Sequence, residues 1–373
     1  MNSFKKFLFH RMRSTVILTV VLCLFAIILT TLTVNVRSYE YYDVVISDGS
    51  SESEKTEVLV KGERLSSSGL LVAVLCILCT VIPVLELGGL KNKRNADTVY
   101  ALPIDRKKMC IAHFTNGFLQ ILAVYGCMAI TAALIITAET EGLLHLEYLA
   151  PWLLLPIPVA FLLYAYFSYL FNEANSVVDG CVFIVSGILT PLFLSAAFDT
   201  VELWMNGESI YSWLDMASEA VYPYFPLVFI TENFSDAIEV GRFYRAENAE
   251  IGIFVMWCVI GVLTAVCYYL AFNRKRVESI GEISSSPIGY KAIIPTLVFC
   301  IVLAMGNFND SDSILLSIIG IIAAVIGYMI YRRSFKIKLA DILSIVGSIG
   351  VVIVIRILED VIRRAGGAVY VTF

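Results

Sequence analysis

Long apolar runs separated by short charged segments set the pattern of this chain. Runs at 15–34, 69–87, 110–138, 149–171, 177–198 and 251–272 carry few or no charges. Each is long enough to form the ~20-residue helix that crosses the hydrocarbon core of a bilayer. Three further runs, at 292–305, 313–331 and 342–357, follow a serine-rich link at 284–287. The first of these three is short for a full span and is expected to lie tilted or at the interface. The pattern predicts an all-α integral membrane protein with about nine transmembrane helices. Six of them form a core over residues 1–282, and three form a C-terminal helical extension over 283–373.

The segments between the runs add detail. Residues 37–68 are polar and acidic, and Val58, Leu59 and Val60 inside them predict a short strand. Residues 216–231 are mostly apolar but contain Pro223 and Pro226. They are too short to span and are broken twice, which predicts a segment that enters the outer leaflet and returns. A tight turn is expected at 172–176. Asp179 follows just inside the fifth run, and a carboxylate there has two readings: it reaches interfacial water, or it is functional. Glu86 ends the second run, with Lys91 or Arg94 as its expected partner.

The most charged short loop lies at 96–108, between the second and third runs. Residues 96–101 favour a short helix, and Pro103 pushes Leu102 out of helical space. Asp105 then suits the N-cap of the next helix, and Ile104 and Met109 can pair across that cap as a hydrophobic staple. Arg106, Lys107 and Lys108 follow at the first helical positions, where the helix dipole disfavours cations. Either the cytoplasmic side of a membrane or an acidic protein partner must favour them.

Residues 1–14 hold Lys5, Lys6, Arg11 and Arg13 among apolar side chains. They predict an interfacial amphipathic helix or a basic flank that only sets orientation. The first run is too long for a signal-peptide core and no small-residue cleavage site follows it, so it is expected to persist. With the N-terminus inside, the predicted cytoplasmic segments hold 18 of the 27 Lys and Arg residues. This asymmetry predicts a multi-pass cell-membrane protein with a cytoplasmic N-terminus. Nine spans would put the C-terminus outside, although Arg363 and Arg364 argue against that step.

Composition agrees with burial in lipid. The chain is 58% hydrophobic and 16% charged, against about 45–50% and 25% in globular proteins. A net charge of −5 disfavours an electrostatic grip on nucleic acid. There is no G-x-x-x-x-G-K-[ST] to cradle phosphates, no H-E-x-x-H and no G-x-S-x-G. His10, His113 and His145 are scattered. No catalytic, metal-binding or cofactor-binding residues are therefore expected, and the chain does not read as an enzyme. Any energy from ATP would come from another polypeptide. The nine cysteines lie in or beside apolar runs, so no disulfide framework is indicated. Cys76 and Cys79 form C-x-x-C, but within an apolar helix, where small packing residues are common.

The stretch from Asp97 to Lys108, continuing to Gly117, resembles the D-x-x-x-(S/A)-L-P-(I/V)-x-R-K-(K/R) loop of ABC-2 type transporter permeases of Gram-positive bacteria. Lys275, Arg276, Val277 and Glu278, with Gly281 close behind, are similar to the basic-x-E-x-x-G ending after the sixth helix of that family. The resemblance covers about residues 1–282. It implies an ABC-2-like transmembrane domain with an N-terminal interfacial helix, a coupling helix near 94–102 and the re-entrant segment near 216–231. It further implies a permease subunit, with export the expected direction. That subunit pairs with a second permease half, as a homodimer or heterodimer, and is driven by an ABC ATPase in trans. Asp97, Tyr100, Leu102, Pro103, Arg106, Lys107 and Lys108 are the ATPase-coupling candidates. Tyr100 is expected as the main anchor and 106–108 as facing an acidic rim, since aromatic and arginine side chains tend to carry interface energy. Arg274, Lys275, Arg276 and Glu278 are candidates for a second cytoplasmic contact. The competing view is that the loop cations only obey the positive-inside rule. A non-transporting membrane sensor or assembly protein with the same fold is the reading from a different class.

Overall fold

The computed structural model describes residues 3–33, 36–46, 55–65, 68–101, 103–139, 154, 156–204, 248–275, 277–282, 286, 289–304 and 311–367. The expected re-entrant segment at 216–231, Leu102 and Arg276 lie outside the described residues. Helix α1 (Ser3–Thr33) leads into an antiparallel hairpin of β1 (Val36–Ile46) and β2 (Lys55–Leu65). Helix α2 (Ser68–Gly88), a 3-10 turn (Gly89–Lys91) and the short α3 (Lys93–Tyr100) follow. Next come α4 (Arg106–Glu139), α5 (Pro156–Glu173), α6 (Val177–Trp204) and α7 (Asn248–Arg274). Helices α8 (Tyr290–Ala304), α9 (Ser311–Arg332) and α10 (Leu339–Gly367) complete the described chain. Among the described residues, five helices are long and apolar enough to cross a membrane: α1, α2, α4, α7 and α10. Their number and length fit a helical, multi-pass membrane protein.

Two local expectations change. The strand expected at Val58–Val60 is part of a longer hairpin, in register from Val36 opposite Leu65 to Ile46 opposite Lys55. Residues 39–46 are rich in tyrosine, valine and isoleucine, which favour extended backbone. The basic N-terminus is not a separate interfacial helix but the start of α1, which runs on without a break. No glycine or proline interrupts 3–33. The Ser14 hydroxyl donates to the Arg11 carbonyl at 2.7 Å and the Thr19 hydroxyl to the Thr15 carbonyl at 3.0 Å. Polar side chains satisfied on their own helix do not stop it.

The chain forms two compact units. The first comprises residues 1–82, 111–164 and 226–263. Its interior holds Leu75, Leu78 and Ile82 of α2 with Ile121, Val124 and Met128 of α4. The Phe114 and Phe118 rings meet Phe161 of α5 edge-on at 5.8 and 5.3 Å. The Cys79 thiol donates to the Ala160 carbonyl at 3.5 Å, so half of the C-x-x-C pair is a packing residue. At Gly261 of α7 an added Cβ would lie 3.3 Å from the Leu162 Cα. Small residues of this kind let membrane helices approach closely.

The second unit comprises residues 83–110, 165–225 and 264–373. Here α6 packs along α8, which also contacts α9 and α10. The Arg332 guanidinium donates to both Asp341 carboxylate oxygens, at 2.5 and 2.7 Å. The Lys338 N–H donates to the same group at 3.1 Å, which fixes the turn between α9 and α10. A Cβ at Gly180 would lie 2.4 Å from the Phe171 ring, so α6 crosses α5 with no room for a methyl group. Gly180→Ala should therefore cost about 1–3 kcal/mol, as overpacking does. Gly126→Ala, where nothing lies within 4 Å, should be neutral or slightly stabilising. Thermal unfolding in detergent compares the two, and equal midpoints would refute this contact.

Candidate coupling site

Helix α3 begins three residues before its expected start. Asn92 is the N-cap, its side chain accepting from the Arg94 N–H at 3.2 Å. Eight residues later the helix stops at Tyr100, and the Ala101 N–H donates to the Asp97 carbonyl at 3.1 Å. Asp105 then caps α4 as its residue type predicts. Its carboxylate accepts from the Lys107 N–H at 3.2 Å and its carbonyl from the Met109 N–H at 3.0 Å.

The two faces of α3 differ. Ala96 is buried, and Val99 and Tyr100 are half-buried on the same side. Lys93, Arg94, Asn95, Asp97 and Thr98 are exposed. Pro103, Lys107 and Lys108 are exposed as well, whereas Arg106 is half-buried. Arg106 turns inward. Its guanidinium stands 5.1 Å over the Tyr100 ring and donates to the Lys275 carbonyl at 2.9 Å. A cation at a helix N-terminus is electrostatically unfavourable, and these two contacts offset that cost for Arg106. Burial raises the Tyr100 hydroxyl above its usual pKa, and nearby Arg106 opposes the shift.

Beneath Tyr100 lies a pair of lysines. Lys91 is only 7% exposed. Its ammonium donates to the Asn172 and Ala174 carbonyls at 2.9 and 2.5 Å. The Lys275 ammonium donates to the same two carbonyls. These acceptors lie at the C-terminus of α5, where carbonyls have no partner within the helix and the dipole attracts cations. The two lysines, from distant parts of the sequence, cap α5 together. Lys91, Lys275, Tyr100 and Asn172 line one small cavity.

The second motif sits beside the first. Arg274 ends α7 exposed, and Glu278 is exposed on a 3-10 turn (Val277–Ser279) that packs against α3. Gly281 has φ +82°, a left-handed value that costs glycine nothing. Its N–H donates to the Asn175 carbonyl at 2.9 Å. Its carbonyl accepts from the Arg333 guanidinium at 2.9 Å. Asp179, 7% exposed, does not sit in open water. Its carboxylate accepts from the Tyr290 hydroxyl at 2.7 Å, with Arg333 4.0 Å away. The start of α8 and the α9–α10 turn are thus fastened where α6 begins and α7 has ended.

The sequence motifs did not single out Lys91, Asn172, Tyr290 or Arg333 as a group. Lys91 and its acceptors are 81 and 83 residues apart, and neither stretch has a recognisable spacing. The available signal is a lysine that follows an apolar run within four residues. Among the described residues no group of three or more His, Cys, Asp or Glu could hold a metal ion. No family model, curated protein or solved structure matches the chain.

Burial pushes the Lys275 ammonium from its usual 10.5 down to about 8, with its Lys91 contact and Glu173 opposing the shift. The unfolded chain keeps that proton up to 10.5, so between these values it binds more protons than the folded state. Stability from this group therefore rises with pH across that window and is absent below it. The thermal midpoint of the wild-type protein should rise from pH 8 to pH 10 relative to Lys275→Met. Parallel midpoints for the two proteins would contradict the assignment.

Proposed function

We propose that this chain is the permease subunit of an ABC transporter, an exporter driven by a separate ATPase subunit and paired with a second permease half. Nine spans, a six-helix core over 1–282 and an extension over 283–373 belong to this proposal, as does a cytoplasmic N-terminus. The observation that carries it is α3. A plain connector between two spans needs only a turn, yet this one is a capped helix with a packed inner face and a polar, cationic outer face. The resemblance of Asp97–Lys108 to the coupling loop of ABC-2 permeases supports the same reading. No nucleotide motif occurs in the chain, so the energy source is a partner.

Within this proposal the outer face of α3 docks on the ATPase. Lys93, Arg94, Asp97, Lys107 and Lys108 face the partner, and Arg274 and Glu278 border the same surface. Tyr100 and Arg106 act through each other, holding α3 at its angle. Reversing Lys107 and Lys108 to Glu should slow association with the ATPase about tenfold and reduce its salt dependence, as rim charges do. Tyr100→Ala should lose copurified ATPase while membrane abundance is unchanged. If both variants retain full ATPase binding, the loop is only a topogenic signal, and the sensor or assembly reading takes precedence.

The orientation has its own test. In a cysteine-free background, Ser50→Cys should react with an impermeant thiol reagent on intact cells, and Lys107→Cys should react only after lysis. The reverse pattern would invert the topology and remove α3 from the side where ATP is made available.

A further inference from the structure

The turn between α9 and α10 has two different sides. Its arginines are engaged within the chain. Arg332 holds both oxygens of Asp341, at 2.5 and 2.7 Å. Arg333 stands at φ +50°, the left-handed position after a helix where glycine is usual. The Arg333 and Ser334 N–H groups close α9 on the Ile330 and Met329 carbonyls, at 3.1 and 3.2 Å. A side chain kept at such a position needs a reason. The Arg333 guanidinium has one in the Gly281 carbonyl, 2.9 Å away. The Lys338 N–H, bonded to Asp341 at 3.1 Å, braces the far end. The turn is therefore held at both ends in one shape.

The outer side is open. Phe335 is 90% exposed and Leu339 73%, and Lys336 and Lys338 are exposed between them. Residues 332–341 hold four cations and one carboxylate, and Arg332 already occupies that carboxylate on both oxygens. A large aromatic side chain held out on a braced turn and flanked by lysines needs a surface that takes both. The neighbouring helices decide which surface. Helix α10 is long and apolar enough to cross a membrane. From Leu339 its exposed apolar residues run on at helical spacing through Leu343 and Val346. On α9, Ile326 and Ile330 make a matching exposed stripe. Both stripes suit hydrocarbon, and the turn joins them where they end. An acidic protein would take the lysines without continuing the stripes. A lipid leaflet does both. Aromatic and aliphatic side chains enter the boundary of headgroups and acyl chains, and lysines beside it attract anionic lipids.

We propose that the α9–α10 turn is a docking surface for the headgroups of anionic phospholipids. Phe335 enters the boundary between headgroups and acyl chains. Lys336 and Lys338 meet the phosphates, with their stems lying along the same apolar level. Arg332 and Arg333 take no part in lipid contact and hold the turn in the shape that presents Phe335. The proposal holds whether or not α3 docks on an ATPase.

The test is the fluorescence of Phe335→Trp in the full-length protein, read as the difference from the wild-type protein in phosphatidylcholine nanodiscs. Phe335 is 90% exposed, so the change leaves the packing intact. The quencher is a minor fraction of lipid brominated on its acyl chains near the headgroup, either phosphatidylglycerol or phosphatidylcholine. The added tryptophan should be shielded from aqueous acrylamide and quenched by brominated lipid. At equal fractions brominated phosphatidylglycerol should quench more strongly, and that preference should fall as salt rises. A lysine near an anionic surface contributes about a fivefold preference. Lys336→Gln and Lys338→Gln, each in the same background, should therefore reduce it by up to about that factor. Quenching by acrylamide without quenching by lipid would overturn the proposal and leave the turn open to an acidic protein. Equal quenching by the two lipids would overturn it as well, and so would a preference that both lysine variants leave unchanged.

Discussion

The C-terminus of α5 is the constraint on which the surroundings of α3 depend. A helix that ends near apolar surroundings leaves its last carbonyls without partners, and each unsatisfied group is costly there. Lys91 and Lys275 supply the missing donors at Asn172 and Ala174. That requirement fixes the chain where it leaves α2, through Lys91 at the end of the 3-10 turn, and where it leaves α7, through Lys275 just after the helix. Helix α3 starts two residues after Lys91, so its origin is set by the same contact. The Gly281 N–H takes the next carbonyl, at Asn175, and brings the 3-10 turn alongside α3.

The C-terminal helices share this junction. Tyr290 bonds the Asp179 carboxylate in the first turn of α6, a favourable place for a negative charge. Arg333 reaches the Gly281 carbonyl and lies near Asp179. A buried carboxylate without such partners would be expensive. Helices α8 to α10 and their turns therefore help to close a polar site of the second unit. A change at the α9–α10 turn, which Arg332 and Asp341 brace, would be felt through Arg333 at the loop that borders α3.

The charges around α3 divide by burial. Arg106 is explained within the chain, by the Tyr100 ring and the Lys275 carbonyl. Lys107 and Lys108 are exposed at a helix N-terminus and gain nothing there from the dipole. They remain the charges that a membrane surface or an acidic partner must favour. The inner face of α3 is held by packing, and its outer face is left polar.

The sequence by itself determined the membrane class, the apolar runs that became helices, the Asp105 cap and the position of the charged loop. These are local properties: span length, residue type at a cap and the effect of Pro103 are set within a few residues. It also marked Gly281, and the left-handed φ supplies the reason for glycine. The tertiary structure alone decided that Lys91 and Lys275 share acceptors at Asn172 and Ala174. It alone decided that Arg106 turns inward, and that Asp179 faces Tyr290 where water was one of the two expectations. The continuity of α1 was also invisible, since a basic amphipathic start reads the same whether the helix bends or runs on. A lysine that follows an apolar run looks alike whether it reaches water, lipid or a helix end 81 residues away. The difference lies in which carbonyls the packing leaves without a donor, and that is known only once the helices are in place.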